Sequence, residues 1–245
     1  MRRRELKNME WGLLVVAIIL SIIGIVALFS ATQETEYDEF KKQIIWFAVS
    51  LIVMVIVMLT NYETLVKLSP IFYGIFLILL VAVLFTKPVN GATSWFDIGG
   101  FSFQPSEFAK VAVILFLAFI ISKIQERYVE DINKPSRLLI IFVAVAIPLL
   151  LIIKQPDYGT GMAFCIALAM MLFTAGIDKK YIIGAILIAG ISIPILYNFI
   201  LPEHAKKRID IFLNPESDPR GSGYNIIQSK LAIGAGQLTG MGLLK

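Results

Sequence analysis

Trp11–Phe29 reads WGLLVVAIILSIIGIVALF, an apolar run without a charged residue, and Arg2, Arg3, Arg4 and Lys7 stand just before it. A helix that crosses a hydrocarbon core needs about 20 mostly apolar residues, so this run has the length of one span. The basic flank suits a signal peptide, but the run is long for the apolar part of one and no small-x-small cleavage site follows. An uncleaved first helix is therefore expected. Six further apolar runs follow, of which one carries the charged pair Glu107 and Lys110 at its start: Gln43–Thr60, Ser69–Thr86, Glu107–Ser122, Leu138–Ile153, Thr160–Ala175 and Tyr181–Ile200. Together they predict an all-α polytopic transmembrane helix bundle over residues 1–200, with seven spans, followed by an extramembrane segment over residues 201–245.

The composition agrees. The chain of 245 residues is 58% hydrophobic and 16% charged, whereas soluble domains are about 45–50% apolar and about 25% charged. The net charge of +4 is modest, and the basic residues flank apolar runs instead of forming one patch, so nucleic acid is not an expected partner. Cys165, the single cysteine, lies inside an apolar run and has no second thiol for a disulfide or a metal.

Short-loop lysines and arginines set orientation. With the N-terminus inside, the inner flanks hold Arg2, Arg3, Arg4, Lys7, Lys67, Lys123, Arg127, Lys134, Arg137, Lys179 and Lys180, against Lys41, Lys42, Lys87 and Lys154 outside. The bias predicts a cytoplasmic N-terminus and an external tail after the seventh span. Pro148 and Pro194 fall inside spans five and seven, where each removes one backbone hydrogen bond and favours a kink. No internal repeat is visible, which argues against an inverted-repeat transporter.

Polar chemistry collects in three external segments. In the first, Asn90-Gly91 and Gly99-Gly100 are turn formers, so the loop is expected to fold back on itself, with Trp95, Phe96, Phe101 and Phe103 on an apolar side able to dip into the interface. Pro105 suits the first helical position. Glu107 then falls in the first turn, favoured by the helix dipole, and Lys110 follows on the same face. The pair reads either as a structural salt bridge or as one side of a polar pocket for an anionic substrate. The second segment is Lys154-Gln155-Pro156-Asp157-Tyr158-Gly159-Thr160. Asp157 can cap the next helix, or it can join Lys154 in binding a phosphate or a divalent ion. The third is the tail, with amphipathic Glu203–Leu213, the turn cluster Asn214-Pro215-Glu216-Ser217-Asp218-Pro219, and a further helix over Tyr224–Ile233 that carries Gln228, Ser229 and Lys230. His204, the only histidine, reads as a surface residue. No nucleophile elbow, P-loop, dinucleotide fingerprint or zinc motif is present.

These three segments also carry a resemblance. Asn90-Gly91-Ala92 with Ser94-Trp95, then Phe103-Gln104-Pro105-Ser106-Glu107 and Lys110, resembles the first signature of the RodA/FtsW/SpoVE (SEDS) family. Gln155-Pro156-Asp157-Tyr158-Gly159-Thr160 is similar to the second. Asn214 to Pro219, with Gly223-Tyr224-Asn225-Ile226-Ile227-Gln228-Ser229-Lys230, resembles the third, in wording closest to the RodA branch. Members often carry an arginine before the loop tryptophan, where Ser94 stands here. The family has about ten spans, and the aspartate proposed as its base lies further along the large external loop, past Lys245. The resemblance thus implies a chain truncated at its C-terminus and inactive as this fragment, with residues 201–245 an incomplete external loop and the catalytic residue unassigned.

What the resemblance implies about activity is a peptidoglycan glycosyltransferase of the bacterial plasma membrane. It polymerises lipid II during cell elongation and shape maintenance, and its partner is a class B penicillin-binding protein of the elongation machinery. Such chemistry needs a base for the acceptor hydroxyl and positive charge for the departing diphosphate. Lys110, Lys154 and Lys230 are the candidate diphosphate contacts, with Glu107 holding Lys110 and Trp95 against a sugar or prenyl group. Asp157 and Gln228 complete the substrate-binding set. No metal ligand is assigned, although a divalent cation such as Mg2+ or Mn2+ is compatible with the chemistry. Two other classes stay open: a lipid II flippase or other transporter, and a non-enzymatic membrane scaffold for the penicillin-binding protein.

Overall fold

A computed structural model describes residues 10–32, 38–87, 93–98, 101–127, 132–201, 203–237 and 240–242. The N-terminal basic cluster, the Asn90-Gly91-Ala92 and Gly99-Gly100 turns, and the side chains of Phe101 and His204 lie outside the described residues. Each of the seven expected spans coincides with a helix. These are α1 (Trp11–Ala31), α2 (Asp38–Leu59), α3 (Tyr62–Val83), α4 (Pro105–Arg127), α5 (Pro135–Lys154), α6 (Tyr158–Thr174) and α7 (Lys179–Ile195), the last continued by one π turn, Leu196–Ile200. The tail holds α8 (Glu203–Leu213), a 3-10 turn at Pro215–Ser217, and α9 (Tyr224–Gly236).

Among the described residues, α1, α2, α3, α5 and α7 with its π turn are each long and apolar enough to cross a membrane, and α6 is a shorter apolar helix of 17 residues. Helix α4 has 23 residues, with Glu107 in its first turn. Several helices start earlier than hydropathy suggests. Helix α2 begins at Asp38, because Asp38 and Glu39 favour the positive end of the helix dipole, and each pairs with a lysine three residues on, Lys41 at 3.5 Å and Lys42 at 3.1 Å. Hydropathy marks only the stretch that lipid must cover; the helix continues through the polar turn beyond it.

The chain divides into two compact units, residues 60–187 and residues 1–59 with 188–245. The first is built on a core of Leu80 from α3, Val113 and Leu117 from α4, Ile141 and Ile152 from α5, and Phe164 from α6, all 4% exposed or less. Helices α5 and α6 approach closely at Gly161, where a Cβ would come to 3.3 Å from Leu149 Cδ1. In the second unit α1 and α2 pack on one another, with Phe29 edge-on to Phe40 at 5.1 Å, and neither helix has a buried residue.

Proline in α3 and α5 leaves each helix intact, for a reason visible in its hydrogen bonds. Proline frees the carbonyl four residues earlier. For Pro70 that is the Val66 carbonyl, which accepts from Ser69 Oγ at 2.6 Å. For Pro148 it is the Ala144 carbonyl, which accepts from Tyr73 Oη of α3 at 2.9 Å. Tyr73 also stacks on Phe116 of α4 at 4.3 Å, so the gap left by Pro148 becomes a tie among three helices. At Pro194 the helix instead opens into the π turn, where Asn198 Nδ2 donates to the Pro194 carbonyl at 2.8 Å.

The one departure from an all-helical reading among the described residues is a short antiparallel hairpin, β1 (Phe96–Ile98) against β2 (Phe101–Phe103), with Phe96 opposite Phe103. The loop does fold back on itself. Its apolar side rests partly on protein, because Phe103 lies between Phe96 at 6.5 Å and Phe108 of α4 at 5.1 Å.

Candidate functional site

Within the unit of residues 60–187, three chain segments meet at the end of the helices where α3 and α5 finish and α4 and α6 begin. The last amides of α3 turn to 3-10 bonding, Leu84 N to the Val81 carbonyl at 3.2 Å and Phe85 N to the Ala82 carbonyl at 3.2 Å. This leaves the Leu80 carbonyl without its helical donor, one of the orphan groups every helix end carries. Gln155, fully buried just after α5, supplies that donor: its Nε2 donates to Leu80 O at 3.0 Å. Its backbone carbonyl accepts from Ser94 Oγ at 3.2 Å, which ties the hairpin loop to the turn between α5 and α6.

Asp157 makes a second tie. Its Oδ1 accepts from the Thr160 amide at 3.1 Å, capping α6 as expected, and its Oδ2 accepts from Gln104 Nε2 at 2.8 Å. Gln104 directly precedes Pro105 of α4. One carboxylate therefore fixes the starts of both α4 and α6. Ser106 Oγ and Gln155 Oε1 are also buried here, without a hydrogen-bond partner among the described residues, so the interior of this knot keeps unused polar capacity.

The sequence-assigned residues fall around this knot unevenly. Glu107 and Lys110 pair at 2.9 Å, with the lysine side chain 29% exposed and the glutamate 52%. Lys110 lines a small cavity of about 170 Å³ with Val113, Ile114 and Leu117 of α4 and Ala163, Phe164 and Ala167 of α6. Trp95 is 37% exposed, beside buried Ser94. Lys154 lines a larger groove of about 820 Å³ between α3 and α5, whose other lining residues are apolar: Leu77, Ile78, Val81, Ala82, Phe85, Ile147, Leu150 and Leu151. Gln228 and Lys230 lie on α9 in the other unit, both exposed. Ser94 is only 2% exposed; it acts as an interior tie, and a guanidinium in its place would have to displace the contact to Gln155.

No group of three His, Cys, Asp or Glu side chains gathers among the described residues. Both Asp157 oxygens are already engaged, and Glu107 is held by Lys110.

The family model described as cell cycle protein FtsW/RodA/SpoVE matches residues 10–245. The chain belongs to that family. It is 35% identical over 240 residues to the peptidoglycan glycosyltransferase MrdB of Escherichia coli K12, covering 97% of this chain and 63% of that protein. It is equally 35% identical over 251 residues to a probable peptidoglycan glycosyltransferase FtsW of Trichlorobacter lovleyi, covering 98% and 64%. The chain thus spans less than two thirds of the length of these relatives. Among solved structures, a chain from a peptidoglycan synthase complex matches with a TM-score of 0.72 at 24% identity, covering 92% of this chain and 65% of that one. The rod shape determining protein RodA of Thermus thermophilus matches with a TM-score of 0.62 at 22% identity, covering 75% and 59%. The fold is that of an FtsW/RodA/SpoVE helix bundle, and the protein is a multi-pass membrane protein.

Gln155, Ser94 and Gln104, which hold the knot together, are absent from the sequence-assigned set. Their signal was faint: uncharged polar residues at the edges of two polar segments, 61 and 53 residues apart along the chain for the two bonds concerned.

Proposed function

We propose that the whole protein is a peptidoglycan glycosyltransferase which polymerises lipid II during cell elongation and shape maintenance, at the outer face of the bacterial plasma membrane. One observation carries this reading. The two polar segments that hold Trp95, Glu107, Lys110, Lys154 and Asp157 converge at one end of the 60–187 unit through the Ser94–Gln155 and Gln104–Asp157 bonds, beside apolar helix faces. The names of the relatives, peptidoglycan glycosyltransferases MrdB and FtsW, support the same reading.

In this proposal residues 1–200 are the membrane bundle with a cytoplasmic N-terminus, and residues 201–245 belong to a large external loop. Lys110 and Lys154 face the diphosphate, where positive charge stabilises the leaving group as the glycosidic bond forms. Gln228 and Lys230, exposed on α9, are offered as substrate contacts by the family resemblance alone. Glu107 holds Lys110 in place, and Trp95 offers an aromatic face to a sugar or prenyl group. Asp157 acts by fixing the starts of α4 and α6 rather than as a base, because both of its oxygens are bonded. A class B penicillin-binding protein is the proposed partner, a reading supported by the peptidoglycan synthase complex among the structural matches.

The test is a lipid II assay on the purified full-length protein with labelled substrate. Polymer is the expected product; translocation without polymer would favour a transporter, and neither would leave a scaffold. In the same assay Lys110→Ala and Glu107→Gln are expected to lower polymerisation about 100-fold, the scale of losing one charged stabiliser of the transition state. Unchanged rates would remove both residues from the site.

A further inference from the structure

Helix α8 differs from the spans in both length and surface. Its 11 residues are about 16 Å long, too short for a hydrocarbon core of about 30 Å. It nevertheless leaves Phe212 78%, Leu213 75% and Ile209 40% exposed. These three lie at i, i+3 and i+4 and so share one face. Arg208, four residues before Phe212 and itself exposed, lies at the edge of that face.

The other sides of α8 are in use. Lys207 Nζ pairs with Asp218 at 2.9 Å, and Ile211 is 4% exposed, so that side is turned toward the 3-10 turn and its buried Pro215. Asp210 Oδ1 accepts from Tyr197 Oη at 2.5 Å, and Lys206 Nζ donates to the Asn198 carbonyl at 3.3 Å. Both partners are in the π turn that ends α7. The helix is thus fastened on two sides to the end of a membrane span and to the following turn, and its third side is apolar and, among the described residues, open.

Its position along the chain says what covers that side. The span Lys179–Phe199 ends, and α8 starts at Glu203. The three residue steps from Ile200 to Glu203 reach about 10 Å at most, comparable to the depth of the headgroup region in which amphipathic helices bury their apolar faces. We propose that α8 lies flat in the membrane interface, with Ile209, Phe212 and Leu213 among the lipid chains and Arg208 on lipid phosphates. The guanidinium suits that role because its fork of donors matches phosphate oxygens. The helix then sets the height above the bilayer of Asn214–Ser217 and α9, which follow it. Gly223 keeps this continuation compact, since a Cβ there would run into the Pro215 carbonyl oxygen.

Collision accessibility of spin labels in the full-length protein tests this. In a Cys165→Ser background, labels are placed by Phe212→Cys, Leu213→Cys and, as a polar reference, Glu203→Cys, whose native side chain is 95% exposed. The protein is reconstituted in vesicles of phosphatidylcholine and phosphatidylglycerol. Labels at 212 and 213 are expected to collide with oxygen in preference to a water-soluble nickel chelate, by at least threefold relative to the label at 203. Equal nickel access at 212 and 203 would overturn the proposal. So would low access to both probes at 212, which would mean that protein covers the face. Arg208→Gln is expected to halve the oxygen preference at 212, and no shift would sink the phosphate contact.

Discussion

The bonds around Gln155 and the ion pair between Lys207 and Asp218 do the same geometric job, since each fastens a helix end to the segment that follows or faces it. They differ in what surrounds them. Gln155 is fully buried, with its amide on Leu80 O at 3.0 Å, whereas Lys207 and Asp218 have side chains 57% and 32% exposed. Where water can replace a lost partner, a polar contact chooses among conformations at little energetic consequence. Where it cannot, the orphaned group carries its full desolvation cost. The 60–187 unit therefore depends on its polar ties, and the 201–245 tail uses its ties mainly for placement.

Substitutions at Gln155, Asp157, Tyr73 and Lys207 bear on that contrast, from the largest expected effect to the smallest. Gln155→Ala removes the donor to Leu80 O from an interior site and is expected to cost about 2–3 kcal/mol, read as a lower midpoint of denaturation in detergent. A loss below about 0.5 kcal/mol, the low end for a single hydrogen bond, would mean that water reaches this site freely. Asp157→Ala should cost about 1–2 kcal/mol, since it removes both the cap on α6 and the acceptor for Gln104. Asp157→Asn, which keeps the cap, should recover part of that in the same unfolding experiment.

Tyr73→Phe is expected to cost about 1 kcal/mol. In a Pro148→Ala background the cost should fall toward zero, because the substituted residue restores the backbone amide that Ala144 O lacked. A double-mutant cycle with no coupling would disprove this account of the proline gap. Lys207→Ala should lower the unfolding midpoint only slightly, because the pair is exposed to water. The Lys207 ammonium, helped by the Ser222 amide, holds the Asp218 carboxyl below its ordinary value. A depressed pKa of this kind stabilises the folded tail above the ordinary carboxylate range, and the contribution is lost as pH falls through the depressed value. Lys207→Ala should accordingly move the Asp218 titration upward, followed by NMR of a labelled aspartate.

How much was legible beforehand varies by residue. The Glu107–Lys110 pair could be read from i,i+3 spacing at a helix start, and the Asp157 cap from its place before Thr160, because both are local. The second bond of Asp157 could not, since Gln104 lies 53 residues earlier and nothing in either segment marks the other as its partner. Pro148 and Pro194 look alike as sequence, each in an apolar run. One stays α-helical beside Tyr73, which donates to Ala144 O, and the other is followed by a π turn. The hairpin at Phe96–Phe103 was legible as a turned-back loop, but its three-residue strands are too short to leave an alternating pattern.

The sequence by itself determined where the helices run and which family the chain joins. Lipid leaves backbone groups no partner but their own helix, so an apolar run of sufficient length is helical whatever its neighbours, and the motifs are contiguous words. Only the tertiary structure decided that Gln155, Ser94 and Gln104 are interior ties, that Tyr73 completes the helix interrupted by Pro148, and that α8 keeps one apolar face open. Each of these depends on which groups lose contact with water, and that is settled by the packing of segments far apart in the chain.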